Sequence, residues 1–385
     1  MKFLFALDSL GIGGTEKSTL DIISHFQKTS SLEVVYFYGN HQLKEQYEKT
    51  GYPIYFADLK SKKSYLKGIL FLIKLIRKAK PDLVVSSLAK SDLMTRIACL
   101  ITGTTVISTF LNDTYGETRL NEQKQKKMYL KFLYGFMLDK LTSFIPKFWI
   151  SNSKSIALSN AKVLGLKLKK IKVIYRGRDS NLFHEWQQPP LINSKMKFVF
   201  VGRLIERKGL LEIVEVFNIL KDTHPNIQLD IYGEGDFQST LKKYIDHHNL
   251  QNIIKLNGSV VNGWKKIYEA HCFLFPSWYE GFSGSLVEAM MSGIPIIASD
   301  IEMNKEAITD IETGLLFKVK DKQEFLEKVI KMIEHYPEMI LMGKRARKEA
   351  MERFDINVIA KQYEGFLKSI VNKKVDSRQL LQKGD

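Results

Sequence analysis

The chain has 385 residues, 44% hydrophobic and 26% charged, which suits a two-domain globular protein and excludes a disordered or short-period repeat chain. A formal net charge of +16 points to an anionic partner: nucleic acid, a membrane surface or a phosphate-bearing substrate. Two cysteines far apart, Cys99 and Cys272, make no disulfide framework and fit a reducing compartment.

Taken in chain order, KFLFAL, LEVVYFYG, PIYFADL, DLVVSS, TVISTFL and FWISNS read as strands over the first 153 residues. KFVFVGR, IQLDIYGEG, IIKLNGSV, CFLFPS, IPIIASD and GLLFKV follow over 197–319. Most are continuously apolar, the mark of strands buried on both faces of a parallel sheet. Helical patterns lie between them, so each half is expected to be a doubly wound α/β domain. The expected limits are 1–185 for the first domain, 195–354 for the second and 355–372 for a last amphipathic helix. The aperiodic break, DSNLFHEWQQPPLINSKM, carries Pro189 and Pro190. KFLFAL is too short for a signal-peptide core, and Lys67 and Lys74 interrupt YLKGILFLIKLI, so a cytoplasmic chain that does not span a membrane is expected.

Glycine turns follow several strands. Gly11, Gly13 and Gly14 stand between the first strand and a helix, where backbone N–H groups can meet a phosphate. Glu16 breaks both the dinucleotide fingerprint and the Walker loop there, so a plain structural turn stays open. In KFVFVGRLIERKGL, Arg203 and Lys208 can face one pocket at the carboxyl edge of the sheet and hold a diphosphate, with Arg207 a solvated helix start. Gly233, Glu234 and Gly235 make a third turn at such an edge. Then FPSWYEGFSGSLVEAMMSGIPIIASD places Glu280 in a loop and Glu288 about one turn into a helix. Loop amides and the helix end form an anion site, and a carboxylate accepting two hydroxyl protons holds a ribose or sugar diol. Alanine at Lys208 or Glu288, on a polar cleft, should then cost activity while the protein stays folded.

EGFSGSLVE, with AMMSGIPIIASD behind it, resembles the E-x7-E signature of the retaining glycosyltransferases of family four. GGTE, KPDLVVSS, NSKSIALSNAKVLGLKLKKIKVIYRGRDSNLF, GRLIERKG and YGEG fall in that family's order, and the resemblance spans roughly residues 1–370. It implies the GT-B fold, two Rossmann-like domains facing across a cleft, with the last helix returning to the first. It also implies a nucleotide-sugar donor, UDP- or GDP-linked, held mainly by the second domain. Arg203 and Lys208 would neutralise the diphosphate, Glu288 would hold the ribose and Glu280 the sugar hydroxyls. The backbone at Phe282, Ser283 and Gly284 would face sugar and phosphate, Gly13 and Gly14 would close on the phosphate, and Gly233–Gly235 would border the base. Two positions depart from the family. Leu111, followed by Asn112 and Asp113, stands where many members carry a histidine. Tyr175-Arg176-Gly177-Arg178-Asp179 replaces the usual asparagine-glycine pair and adds two cations.

No Asp-x-Asp ends a strand and His247–His248 is poor metal geometry, so neither metal nor cofactor is expected. No aromatic-and-basic motif supports nucleic acid. The positive charge clusters instead. Lys60–Lys80 holds eight lysines and arginines and no acid; Lys124–Lys147 holds six lysines and one acid, Asp139. In the second stretch Phe132, Tyr134, Phe136, Phe144, Phe148 and Trp149 exceed what one buried face requires, which suits an anionic membrane surface. The expected function is therefore transfer of a sugar to a lipid-linked or polysaccharide acceptor at the inner face of the plasma membrane. A nucleotide-sugar-binding module without transferase activity is the alternative.

Overall fold

The computed structural model describes residues 1–27, 29–61, 64–116, 119–121, 129–188 and 195–382, with side chains as far as Asn372. Two compact units form: Met1–Gly177 together with the chain from Ile356 onward, and Arg178–Asp355.

The first unit holds β1 (Lys2–Leu7), β2 (Ser31–Tyr36), β3 (Ile54–Phe56), β4 (Leu83–Ser87), β5 (Thr105–Phe110), β6 (Phe148–Ser151) and β7 (Ile171–Val173). They form one sheet in the order β3-β2-β1-β4-β5-β6-β7, every pairing parallel. Its helices include α1 (Gly14–Ser24), α2 (Lys44–Glu48), α3 (Tyr65–Ala79), α4 (Ala89–Thr102), α5 (Tyr129–Thr142) and α6 (Lys154–Leu164). Successive side chains of a strand point to opposite faces, and β1 shows both faces covered. Phe3, Phe5 and Leu7 join one core cluster, Leu4 and Ala6 another. In α3, Ile69, Leu72, Ile73 and Ile76 recur at helical spacing and are buried in the second cluster. Each such side chain contributes about 1.5–3 kcal/mol by leaving water.

The second unit holds β8 (Met196–Val201), β9 (Ile227–Tyr232), β10 (Ile254–Leu256), β11 (Cys272–Phe275), β12 (Ile296–Ser299) and β13 (Leu315–Phe317), ordered β10-β9-β8-β11-β12-β13 and again all parallel. Helices α7 (Leu210–Leu220), α8 (Gln238–His247), α9 (Gly284–Ser292), α10 (Glu302–Lys305) and α11 (Lys322–Glu334) follow strands, and α12 (Tyr336–Phe354) follows α11. Residues 178–186 belong with this unit: Trp186 is buried and its Nε1 donates to the Ala270 carbonyl at 3.0 Å.

The last helix, α13 (Ile356–Gln382), packs on the first unit and runs ten residues past the expected end at 372. Ile359, Tyr363 and Leu367 enter the cluster of Phe5 and Phe26, and Glu364 accepts the Gln27 N–H at 3.0 Å. All twelve expected strands form; the thirteenth, β7, is three residues long with exposed Lys172 at its centre, too short to show a period. Each sheet has the Rossmann-like order expected of a doubly wound domain.

Candidate functional site

An open parallel sheet binds ligands beyond its carboxyl edge, where the strand order reverses. In the second unit that point lies between β8 and β11. The loops leaving β8, β9 and β11 carry eight of the expected donor residues: Arg203, Lys208, Gly233, Glu234, Gly235, Glu280, Phe282 and Ser283, with Gly284 and Glu288 in α9. The first two loops are tied together. The Leu204 N–H donates to the Glu234 carbonyl at 2.9 Å, and the Gly202 N–H to Tyr232 at 3.0 Å. A Cβ at Gly233 would stand 1.8 Å from the Gly202 carbonyl oxygen, and one at Gly235 2.2 Å from that of Leu204. Only glycine lets these backbones approach so closely. The Glu234 carboxylate accepts the Ser259 hydroxyl at 3.1 Å.

Beyond β8 a single 3-10 turn, Glu206–Lys208, carries the cations. Lys208 is buried, 7% exposed, and forms an ion pair with Glu280. Burial pushes the Lys208 ammonium below its usual pKa, against the pull of Glu280. Burial also works to raise Glu280, but Lys208 first and Arg207 next outweigh it and hold its carboxyl below the usual range. The expected polar-cleft position of Lys208 is thus corrected: the side chain is buried and ion-paired, so its loss reaches the folded interior. Arg203 is exposed, and its charge lowers the Lys208 pKa a little further. Arg207 is not a solvated helix start. Its Nη1 donates to the Tyr279 carbonyl at 3.1 Å and its guanidinium covers the Tyr279 ring at 4.7 Å, which braces the loop ahead of Glu280.

Helix α9 begins at Gly284, so the loop amides precede a helix N-terminus. Phe282 turns its ring into the core against Phe354, 5.1 Å between centroids, leaving only its backbone to a ligand. Glu288 accepts the Arg178 Nε–H at 2.7 Å. Arg178 was visible in the sequence as an added cation, with nothing to say which group it meets.

In the first unit, Gly13 caps α1 and Gly14 opens it. The Glu16 side chain folds back over this helix end, so that a Cβ at Gly13 would stand 2.2 Å from its carboxylate, and burial raises the Glu16 pKa. Gly14 lies against Arg176, whose Nη1 would be 3.1 Å from a Cβ there. At the position of the family histidine, Leu111 accepts the Asn152 side-chain amide on its carbonyl at 3.0 Å. Asp113 accepts the Ser159 hydroxyl at 2.6 Å, so its carboxylate braces the loop; the Asn112 residue is exposed.

Between α4 and α5 lies a cavity of about 340 Å³ lined by Leu93, Phe132 and Phe136 among apolar groups and by Lys90, Arg119 and Lys131 among cations. Arg96, fully buried, lines it as well, with ion pairs to Asp92 and Asp139; its Nε donates to Ser108 at 3.0 Å, and its guanidinium lies 4.6 Å over Trp149. Burial lifts the Asp92 carboxyl up to about 6, against the pull of Arg96.

The aromatic stretch divides. Leu130, Tyr134 and Phe144 are 80%, 63% and 69% exposed, and α5 has no buried residue. Phe132 and Phe136 are half-buried against Tyr115. Phe148 and Trp149 belong to β6 instead, and Trp149 is stacked on Phe110 at 4.2 Å. Trp149 is fully buried and Phe148 packs against the cluster of Ile150, because β6 lies inside the sheet between β5 and β7. Lys124, Lys126 and Lys127 lie outside the described residues, as do Pro189 and Pro190. Among the described residues no helix is long and apolar enough to cross a membrane, and no three His, Cys, Asp or Glu side chains are grouped to hold a metal.

Known proteins resemble this geometry. Residues 12–182 match the family described as Glycosyltransferase Family 4, and residues 183–349 match Glycosyl transferases group 1. The capsular polysaccharide biosynthesis glycosyltransferase CapH of Staphylococcus aureus is 26% identical over 80% of this chain and 83% of its own. An Escherichia coli UDP-Gal:alpha-D-GlcNAc-diphosphoundecaprenol alpha-1,3-galactosyltransferase is 25% identical over 80% and 81%. The crystal structure of Anabaena HepE in complex with UDP superposes with a TM-score of 0.80 at 19% identity, over 96% of this chain and all of the other. The two family matches meet at residues 182 and 183, and with the two parallel sheets they make this chain a GT-B glycosyltransferase of the family-four type.

Proposed function

We propose that the protein is a retaining glycosyltransferase that moves a sugar from a UDP- or GDP-sugar to a lipid-linked acceptor during surface-polysaccharide synthesis. One observation carries the reading: at the switch point of the second sheet, two carboxylates each meet one cation beside a helix N-terminus, Glu280 with Lys208 and Glu288 with Arg178. Glu288 would accept the ribose hydroxyls, Glu280 the hydroxyls of the sugar, and the Gly233–Gly235 turn would border the base.

Transfer breaks the bond between the anomeric carbon and the phosphate oxygen. The bonding pair stays with the departing diphosphate, and the acceptor hydroxyl forms the new bond on the same face. Its proton passes to the leaving phosphate oxygen. Arg203, Lys208 and the amides of the α9 head stabilise the growing negative charge, and such preorganised donors are worth about 2.7–4 kcal/mol each. These cations supply the neutralisation without a divalent ion. The two glutamates orient the donor; a loop carboxylate and a helix carboxylate, each holding a cation, do not make the acid and base of a glycosidase.

The acceptor assignment draws on the relatives' names, capsular polysaccharide for one and a diphosphoundecaprenol lipid for another. The exposed apolar face of α5, with Lys131 and Lys140 on it, suits the inner leaflet of an anionic membrane. The cavity behind α5 suits an acceptor with an apolar and an anionic part. A second reading, donor binding without transfer, draws on Leu111 and on the engagement of Asp113 by Ser159. A panel of UDP-, GDP- and ADP-sugars separates them. Hydrolysis or transfer from one donor, undiminished by EDTA, is expected. Binding with no turnover supports the second reading, and loss of activity in EDTA restored by Mg²⁺ or Mn²⁺ refutes neutralisation by side chains alone.

A further inference from the structure

Helix α5 is apolar on two opposite sides. Leu130, Tyr134, Met137 and Leu141 recur along one face and are exposed. Phe132, Gly135, Phe136 and Leu138 lie on the other and line the cavity of about 340 Å³ beside Leu93 of α4. A helix apolar all round is at home in a core or in lipid, yet α5 has no buried residue. Glycine weakens a helix interior. A Cβ built on Gly135 has no described neighbour within 4 Å apart from the helix backbone beside it. No contact within the described fold therefore requires glycine there, and its effect is to keep the cavity open.

A second cavity, of about 200 Å³, shares Arg96, Thr114, Tyr115, Arg119 and Asp139 with the first and extends to Leu88 and Phe110 at the carboxyl ends of β4 and β5. Trp149 lines it and is fully buried. Among the described residues, its Nε1–H and the buried Nε–H of Arg119 have no hydrogen-bond partner. Native interiors leave few donors in that state. The charges of the lining sort in the same direction. Arg96 is ion-paired with both carboxylates, Asp92 and Asp139. Lys90 lies over the Tyr38 ring at 4.9 Å and within the field of Asp8. Arg119 and Lys131 are the remaining cations.

We infer that the paired cavities bind an anionic amphiphile. Its hydrocarbon chain lies beside Leu93, Phe132, Gly135 and Phe136, and its phosphate or diphosphate meets Arg119 and Lys131. An oxygen-bearing group beyond the phosphate, such as a sugar, accepts the Trp149 N–H. The exposed apolar face of α5 suits delivery of such a ligand from a membrane. That the ligand is the sugar acceptor rests on the function proposed above; the site itself rests on the first unit alone.

Isothermal titration of the full chain tests this, with UDP or GDP saturating the donor site so that no diphosphate enters it. The probes are farnesyl diphosphate, farnesol, inorganic diphosphate and short-chain phosphatidic acid, all below micelle concentrations. Farnesyl diphosphate should bind at least tenfold more tightly than farnesol or diphosphate. Gly135→Leu, which fills the cavity from a position with open space, should abolish that binding, keep nucleotide binding and leave the melting temperature no lower. Arg119→Gln should weaken farnesyl diphosphate by about tenfold or more, the worth of one charge-assisted hydrogen bond. Trp149→Phe should remove any affinity gained when a hexose is linked to the diphosphate. Phosphatidic acid bound as tightly as farnesyl diphosphate keeps the amphiphile site and assigns it to a membrane phospholipid. Unchanged binding in Gly135→Leu, or diphosphate as tight as farnesyl diphosphate, overturns the inference. Hexosyl farnesyl diphosphate that binds here without being glycosylated leaves the site standing and removes its acceptor role. A lipid acceptor glycosylated at the wild-type rate by Gly135→Leu does the reverse: the proposed function stands and this site falls.

Discussion

Replacing Lys208 by methionine should do two separable things. The ammonium is buried and paired with Glu280, so its removal leaves a carboxylate in the interior with no counter-charge nearer than Arg207. Breaking a buried pair on one side costs about 3–5 kcal/mol, a large part of the ~5–15 kcal/mol that holds a typical domain. Replacing both partners, Lys208→Met with Glu280→Gln, removes both charges at similar volume and should return most of that stability. Turnover should stay depressed in both proteins, by the ~2.7–4 kcal/mol of one lost oxyanion donor. The sign of the pH dependence is fixed as well. In the wild type the Glu280 pKa is lowered, so its pairing stabilises above its ordinary value of 4.5 and is lost as pH falls through the lower folded value. In Lys208→Met burial acts with little opposition and the pKa moves up. The stability deficit of the mutant should therefore shrink as the pH is lowered and the carboxyl takes a proton. Urea denaturation of wild type, single and double mutants at pH 7 and pH 5 measures this. A single mutant that loses less than about 1 kcal/mol, or a double mutant no better than the single, would refute the buried-pair argument.

Asp92 titrates the other way: its folded pKa is raised from 3.8 to about 6, so its stabilising contribution is complete below 3.8 and fades as pH rises through about 6. The total is on the order of 3 kcal/mol, and Asp92→Asn should flatten the denaturation midpoint over that range. In co-sedimentation, anionic liposomes should bind the protein and high salt should release it, each Lys or Arg at the surface contributing about 1 kcal/mol. Leu130→Ser with Tyr134→Ser and Phe144→Ser should weaken that binding without altering the melting temperature, since these side chains are exposed; no binding at low salt would point to a soluble acceptor. Asn112→Ala should lower turnover more than nucleotide affinity, while Asp113→Ala, which loses the Ser159 bond, should act mainly on the melting temperature.

Strand content and sheet type were legible from the chain alone, because strands covered on both faces must be apolar at nearly every position, and runs such as KFVFV and CFLF show it. The placing of Glu280 in a loop and Glu288 in a helix was legible for a related reason: Gly293 and the next apolar run leave room for only one short helix. Tertiary structure decided what these residues meet. Trp149 and Tyr134 lie fifteen residues apart in one aromatic-basic stretch, yet one is a core residue of β6 and the other is exposed on α5. Composition is the same for both, and only the neighbouring strands tell them apart. Lys208 could have been a surface cation until the turn at Glu206–Lys208 carried it under Phe275 to Glu280. Arg178 and Glu288, 110 residues apart, share no periodicity, so no local pattern pairs them. Local sequence determines backbone form through sterics and burial. Which charge meets which is decided only when distant loops converge on one sheet edge, because electrostatic pairing depends on distance through space.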